Sequence, residues 1–280
     1  MIAPPPAPAA ATDVTRHRPR VGIVKFASCD GCQLTLLDLE DELLAIADRF
    51  DIIEFAEATS RRSKGPFDIL LVEGSISTPE QAEEIVRLRR QATLLVTIGA
   101  CATSGGIQAL RNLADHDAFR RTVYPRPGLI ESLATSTPVS EHVLVDAELY
   151  GCPISGAQLL ELLTALVVGR RPQLPDESVC LECKRRGNVC VLVAGAESCL
   201  GPVTRTGCGA LCPTFLRGCY GCFGPRESAN TTSLAEWFEG TGRSNAEVAR
   251  LFAGFTVAAP PFRRIVEHRR AAAAAKETDR

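Results

Sequence analysis

Twelve cysteines in a chain of 280 residues constrain this sequence more than any other feature. Thiols are sparse in a reducing compartment unless they hold metal or do redox work, whereas a secreted chain would place them in disulfides. The first 19 residues, MIAPPPAPAAATDVTRHRP, have neither the basic start nor the apolar run of a secretory signal. They are expected to form a disordered arm, and the chain is expected to stay in the cytoplasm. No stretch approaches the ~18 uninterrupted apolar residues of a membrane span. Lys+Arg 31 against Asp+Glu 33 leaves a net charge near −2, so no global field would hold nucleic acid or an acidic membrane surface. A hydrophobic fraction of 45% suffices for a buried core.

The order of apolar runs gives the fold class. Val21–Phe26 reads as a strand ending at Ser28-Cys29-Asp30-Gly31-Cys32, after which leucines recur near helical spacing to about Asp48. Strands at Asp51–Phe55 and Ile69–Glu73 follow, then a helix from about Pro79 to Arg90, with Pro79 suited to its first turn. Thr93–Ile98 closes on Gly99-Ala100-Cys101, and an expected strand His142–Ala147 leads to Gly151-Cys152-Pro153 and a helix from about Ser155 to Val168. Strands alternating with helices imply crossovers and a mostly parallel sheet covered on both faces, an α/β domain over residues 20–170. Residues 171–260 are expected to form an irregular Cys-rich domain folded around its ligands rather than around an apolar core. Within it, residues 233–256 return to a helical pattern, and residues 261–280 read as a charged, Ala-rich, loose tail.

In an open α/β sheet, ligands sit outside the carboxyl ends of the strands. Cys29, Cys32, Cys101 and Cys152 all follow strands and so fall at one edge, a thiolate set that suits a cube of iron and sulfide. Gly31, Gly99 and Gly151 are expected to let the backbone bend close to it. Alone, Cys29-x-x-Cys32 would favour a dithiol or a zinc knuckle; the two further cysteines at that edge reverse the ranking. The other eight read Cys180-x2-Cys183-x6-Cys190-x8-Cys199 and Cys208-x3-Cys212-x6-Cys219-x2-Cys222. A zinc ribbon separates its pairs by about 15–20 residues, whereas 35 residues lie between Cys183 and Cys219. Spacing alone leaves open which of these eight share a site. Lys184, Arg185, Arg186, Arg205 and Arg217 lie among them and either offset ligand charge or form a solvated basic face.

The motifs S-C-D-G-C-Q-L, V-E-G-S-I-S-T at 72–78, G-A-C-A at 99–102, Y-G-C-P at 150–153 and C-L-G-P-V-T-R-T-G-C at 199–208 resemble the small subunit of nickel–iron hydrogenases over about residues 20–225. The resemblance is strongest to the cytoplasmic delta subunits of NAD(P)-linked hydrogenases, or sulfhydrogenases. It implies a flavodoxin-like domain holding a proximal [4Fe-4S] cluster on Cys29, Cys32, Cys101 and Cys152. It further implies a distal [4Fe-4S] cluster on Cys180, Cys183, Cys190 and Cys199, with Cys180 in a place where periplasmic relatives use His. A medial [4Fe-4S] cluster falls to Cys208, Cys212, Cys219 and Cys222, with Cys212 where relatives carry Pro.

On this resemblance the chain relays electrons between a large-subunit NiFe site and a flavin- and NAD(P)-binding diaphorase partner, with a further iron–sulfur subunit. The chain has neither the large-subunit cysteine signature nor a Gly-x-Gly-x-x-Gly nucleotide loop, so no residue is expected to be catalytic and NiFe centre, flavin and NAD(P) are expected on partners. Alternatives are a small subunit serving a deazaflavin or heterodisulfide reductase acceptor, a relative of the respiratory complex I cluster subunit, and a zinc-binding interaction module. Glu73, at a strand end near the first four cysteines, reads as lining a proton or subunit-contact path or, at least equally, as a solvated loop carboxylate.

Overall fold

A computed structural model describes residues 18–278. Strands β1 (Arg20–Lys25), β2 (Asp51–Phe55), β3 (Phe67–Glu73), β4 (Ala92–Ile98) and β5 (Ala147–Leu149) pair in parallel, in the order β2-β1-β3-β4-β5. This is the flavodoxin-like order, and its switch point lies between β1 and β3. The central strand β3 is apolar on both faces because helices cover both. Between β1 and β2 run α1 (Gly31–Leu37) and α2 (Asp41–Ala47), a break in the single helix read from leucine spacing, with Glu40 between them at φ +46.

α3 (Pro79–Gln91) starts at a capping box in which Thr78 and Gln81 satisfy each other's backbone N–H groups. α4 (Gly99–Ser104) leaves β4 directly, and α5 (His116–Val123) lies in the irregular connection. The last strand is not His142–Ala147 but the shorter β5. Val143 and Val145 turn instead onto the core beneath α3, and Asp146 pairs through backbone and side chain with Leu95. α6 (Gly156–Val167) buries Leu159, Leu162 and Leu163 against Val21, Ile23, Ile69 and Leu71, each such burial contributing about 2 kcal/mol. Ile85 and Leu88 of α3 close the opposite face over Leu70, Val72 and Leu95.

The cysteine-rich segment carries three short helices, α7 (Val179–Arg185), α8 (Val191–Ala194) and α9 (Leu211–Thr214). It has more apolar anchorage than expected. Val179, Val191 and Ala210 form a small core with Cys199 and Cys219, while Leu200 and Val203 insert into a larger one. That larger core belongs to α10 (Thr231–Gly240), α11 (Asn245–Phe252) and α12 (Pro260–Thr278). Phe252 meets Phe238 and Phe262 edge-on at 6.5 and 5.5 Å. Residues 261–278 are therefore not a loose tail: Phe262, Ile265 and Val266 bury one face of a helix. Of the arm expected over residues 1–19, Arg18 and Pro19 are described, with the Pro19 carbonyl accepting a hydrogen bond from the Asp51 N–H; the rest lies outside the described residues.

Candidate metal centres

The chain leaves β1 through Phe26 and Ala27, which bond across to the end of β3 and to Ser75, so the Cys29–Cys32 loop is held over the switch point. Asp30 turns the loop at φ 66, and its carboxylate pairs with Lys25 at 2.6 Å. Cys32 enters the first turn of α1, Cys101 stands in α4, and Cys152 follows β5. The Ala100 N–H donates to the Gly151 carbonyl at 2.7 Å, tying the last two loops together. Gly99, at φ +84, brings the β4–α4 turn so close that a Cβ there would lie 2.3 Å from the Cys32 Sγ. Gly151 also has positive φ, whereas Gly31 has an ordinary helical backbone.

Burial pushes the Cys32 thiol far up, followed by the charges of Glu73, Cys101 and Cys152. Burial likewise raises Cys101 to about 11, with Cys152 and Cys29 adding to it. Cys152 rises by burial and then by Cys29 and Glu73. These four thiols thus lie within electrostatic range of one another, and Cys29 is the exposed member. The Gln108 amide donates to the Ala27 carbonyl at 2.7 Å and lies 3.5 Å from the Cys101 Sγ.

Among the remaining eight, Cys180 feels Cys199, Cys183 and Cys190 after its own burial. Cys219, driven up most by burial, feels Cys199 and Cys222, and its N–H donates to the Cys199 Sγ at 3.2 Å. Cys222 is pushed up to about 12 by burial, then by Cys208, Cys152 and Cys212. Cys222 is thus within electrostatic reach of Cys152 in the first set, while the Cys219 N–H joins the two later groups at the Cys199 Sγ. Cys190 is exposed. Lys184, Arg185, Arg186 and Arg217 are exposed, whereas Arg205 is half-buried, stacked on the Tyr150 ring at 4.4 Å and paired with Asp176.

All twelve cysteines are free thiols, and no three Cys, His, Asp or Glu side chains among the described residues close on the position of a single metal ion. A cube of four irons takes each thiolate at a separate corner, and the all-cysteine donor set at the sheet edge suits it.

Glu73 is not a solvated loop carboxylate: it is 2% exposed. It accepts hydrogen bonds from the N–H groups of Cys32 at 3.2 Å and Gln33 at 3.3 Å, and from the Gln33 amide at 3.1 Å. Burial raises its carboxyl above the usual range, and those hydrogen bonds draw it back. Its place at the end of β3, one strand from Cys29-x-x-Cys32, was the available signal.

A flavodoxin-like sheet that gathers thiol sets at its carboxyl edge and extends them into a cysteine-rich segment defines an oxidoreductase of the iron–sulfur class. The family model for the NADH ubiquinone oxidoreductase 20 Kd subunit matches residues 29–166, from the first cysteine loop into α6, without β1 and the eight later cysteines. Sulfhydrogenase 2 subunit delta of Pyrococcus furiosus is 36% identical over 217 residues, covering 78% of this chain and 91% of the relative. A subunit of the F420-non-reducing hydrogenase vhu of Methanococcus voltae is 29% identical, covering 86% and 96%. A crystal structure of an NAD+-reducing [NiFe]-hydrogenase in the H2-reduced state contains a chain 31% identical to this one, with a TM-score of 0.53, covering 57% of this chain and 96% of that one. The chain belongs to the family of nickel–iron hydrogenase small subunits. No helix among the described residues is long and apolar enough to cross a membrane.

Proposed function

We propose that this chain is the electron-relay small subunit of a cytoplasmic [NiFe] hydrogenase, working between the NiFe site of a large subunit and a flavin-bearing, NAD(P)-reducing partner. Cys29, Cys32, Cys101 and Cys152 hold a proximal [4Fe-4S] cluster. Cys208, Cys212, Cys219 and Cys222 hold a medial one, and Cys180, Cys183, Cys190 and Cys199 a distal one. When bound, the three clusters would supply a series of one-electron carriers. The protein excludes water from Cys32, Cys199 and Cys219 and leaves Cys29 and Cys190 exposed.

The observation that carries this reading is the gathering of Cys29, Cys32, Cys101 and Cys152 at the carboxyl edge of the sheet, with the Cys219 N–H donating to the Cys199 Sγ at 3.2 Å between the two later groups. Anaerobic purification of the complex should give about twelve irons and twelve sulfides per chain, together with H2-dependent reduction of NAD+ or NADP+. Stoichiometric zinc without sulfide would instead make the chain an interaction module. The Methanococcus voltae relative favours a second reading, in which the same relay serves an acceptor other than NAD(P); iron-replete material that reduces neither nicotinamide would support it.

A further inference from the structure

Inside α7, in the Cys180-Leu-Glu-Cys183 turn, stands a carboxylate that electron relay alone leaves unexplained. Glu182 accepts hydrogen bonds from the Gly207 N–H at 2.9 Å and from the Ala210 N–H at 3.0 Å, one on each side of Cys208. Its second oxygen lies 3.9 Å from the Cys208 Sγ. The receiving turn is unusual: Gly207, Gly209 and Ala210 have φ of 142, 65 and 53, and Ala210 is fully buried. Backbone N–H groups converging from such a turn form a nest suited to an anion, and Glu182 fills it from the helix of the neighbouring thiol set. Arg186, exposed, lies against Gly209, where solvent screens its charge.

Hydrogen bonds to cluster sulfur and local charge set the potential of an iron–sulfur site. N–H groups donating to sulfur stabilise the reduced, more negative state; a nearby carboxylate destabilises it. Here the Gly207 N–H is engaged by a carboxylate, the Ala210 N–H is shared between that carboxylate and the Cys208 sulfur, and the carboxylate places its charge beside the thiol. Both effects act in one direction. We propose that Glu182 is a positioning residue that, by filling the 207–210 nest, holds the medial cluster at a more negative potential than its four thiols alone would give.

The proposal rests on the cluster assignment above; iron and sulfide analysis of the unaltered complex tests the cluster count, and loss of one and the same signal in Cys208→Ser and Cys222→Ser tests separately that these two thiols share a cluster. The test is a potentiometric titration of the anaerobically purified complex, followed by electron paramagnetic resonance, for the parent, Glu182→Gln and Glu182→Asp; a Cys222→Ser variant identifies the medial signal. In Glu182→Gln the iron content should be retained and the medial midpoint should move to a more positive potential, with proximal and distal midpoints unmoved. Glu182→Asp, which keeps the charge on a shorter stem, should stay near the parent midpoint. A parent midpoint in Glu182→Gln, loss of iron from it, or an equal positive shift in Glu182→Asp would each overturn the proposal.

Discussion

Replacing Gly99 by alanine tests the proximal site at its tightest point. The new methyl would stand 2.3 Å from the Cys32 Sγ, where ordinary contact begins at 3.4 Å. The sulfur or the turn must therefore retreat by about 1 Å, several times the roughly 0.2 Å that metal–ligand distances tolerate. Overpacking of this kind costs about 1–3 kcal/mol, and a side chain in left-handed backbone adds about 1–2 kcal/mol. The sum, about 2–5 kcal/mol, is less than the 5–15 kcal/mol that typically holds a domain together.

Gly99→Ala should consequently fold, melt lower by about 4–20 °C at ~2–4 °C per kcal/mol, and lose about four irons per chain. Gly31→Ala is the matched control: its methyl would meet the Cys29 Sγ at 3.4 Å and Pro153 at 3.7 Å, at the start of a helix. It should keep its iron and gain up to about 1 kcal/mol from helix propensity. Iron and sulfide analysis with calorimetric melting reads both variants. A Gly99→Ala chain with its full iron complement would refute the claim that this turn shapes the proximal site.

Two further outcomes are expected. Glu73→Ala leaves the N–H groups of Cys32 and Gln33 buried without their acceptor, which should cost about 1–3 kcal/mol for each group left unsatisfied; a melting temperature within 1 °C of the parent, by about 2–4 °C per kcal/mol, would contradict it. In the cluster-free chain, the Cys101 thiol is raised from 9.0 to about 11, so it is more protonated at neutral pH than an ordinary thiol. Because only the thiolate reacts, its alkylation rate should climb about tenfold per pH unit up to that value. Mass-spectrometric rates that level off by about pH 9, near an ordinary thiol's value, would count against its burial.

The sheet and its carboxyl edge were legible because β1 and β4 are apolar runs that end in cysteine loops, and Pro79 and Ser155 mark helix starts by their own chemistry. β5 was misplaced because Val143 and Val145 are as apolar as a strand but serve the opposite core, a choice made by tertiary packing. The final helix was hidden by its alanines and charges, although Phe262, Ile265 and Val266 carry helical spacing once Phe252 is there to receive them. The strand-end place of Glu73 was legible, but the hydrogen bonds that make Glu73 and Glu182 clamps were not, for a common reason. Each bonds backbone N–H groups at least 25 residues away in sequence, and no spacing rule connects a carboxylate to a turn it meets only after folding.

The exposure of Cys29 and Cys190, against the burial of Cys32, Cys199 and Cys219, makes damage uneven. Oxidants reach the two exposed thiols of an isolated chain before the three covered ones, so those positions should be modified first. A neighbouring subunit laid over them would then also act as a shield.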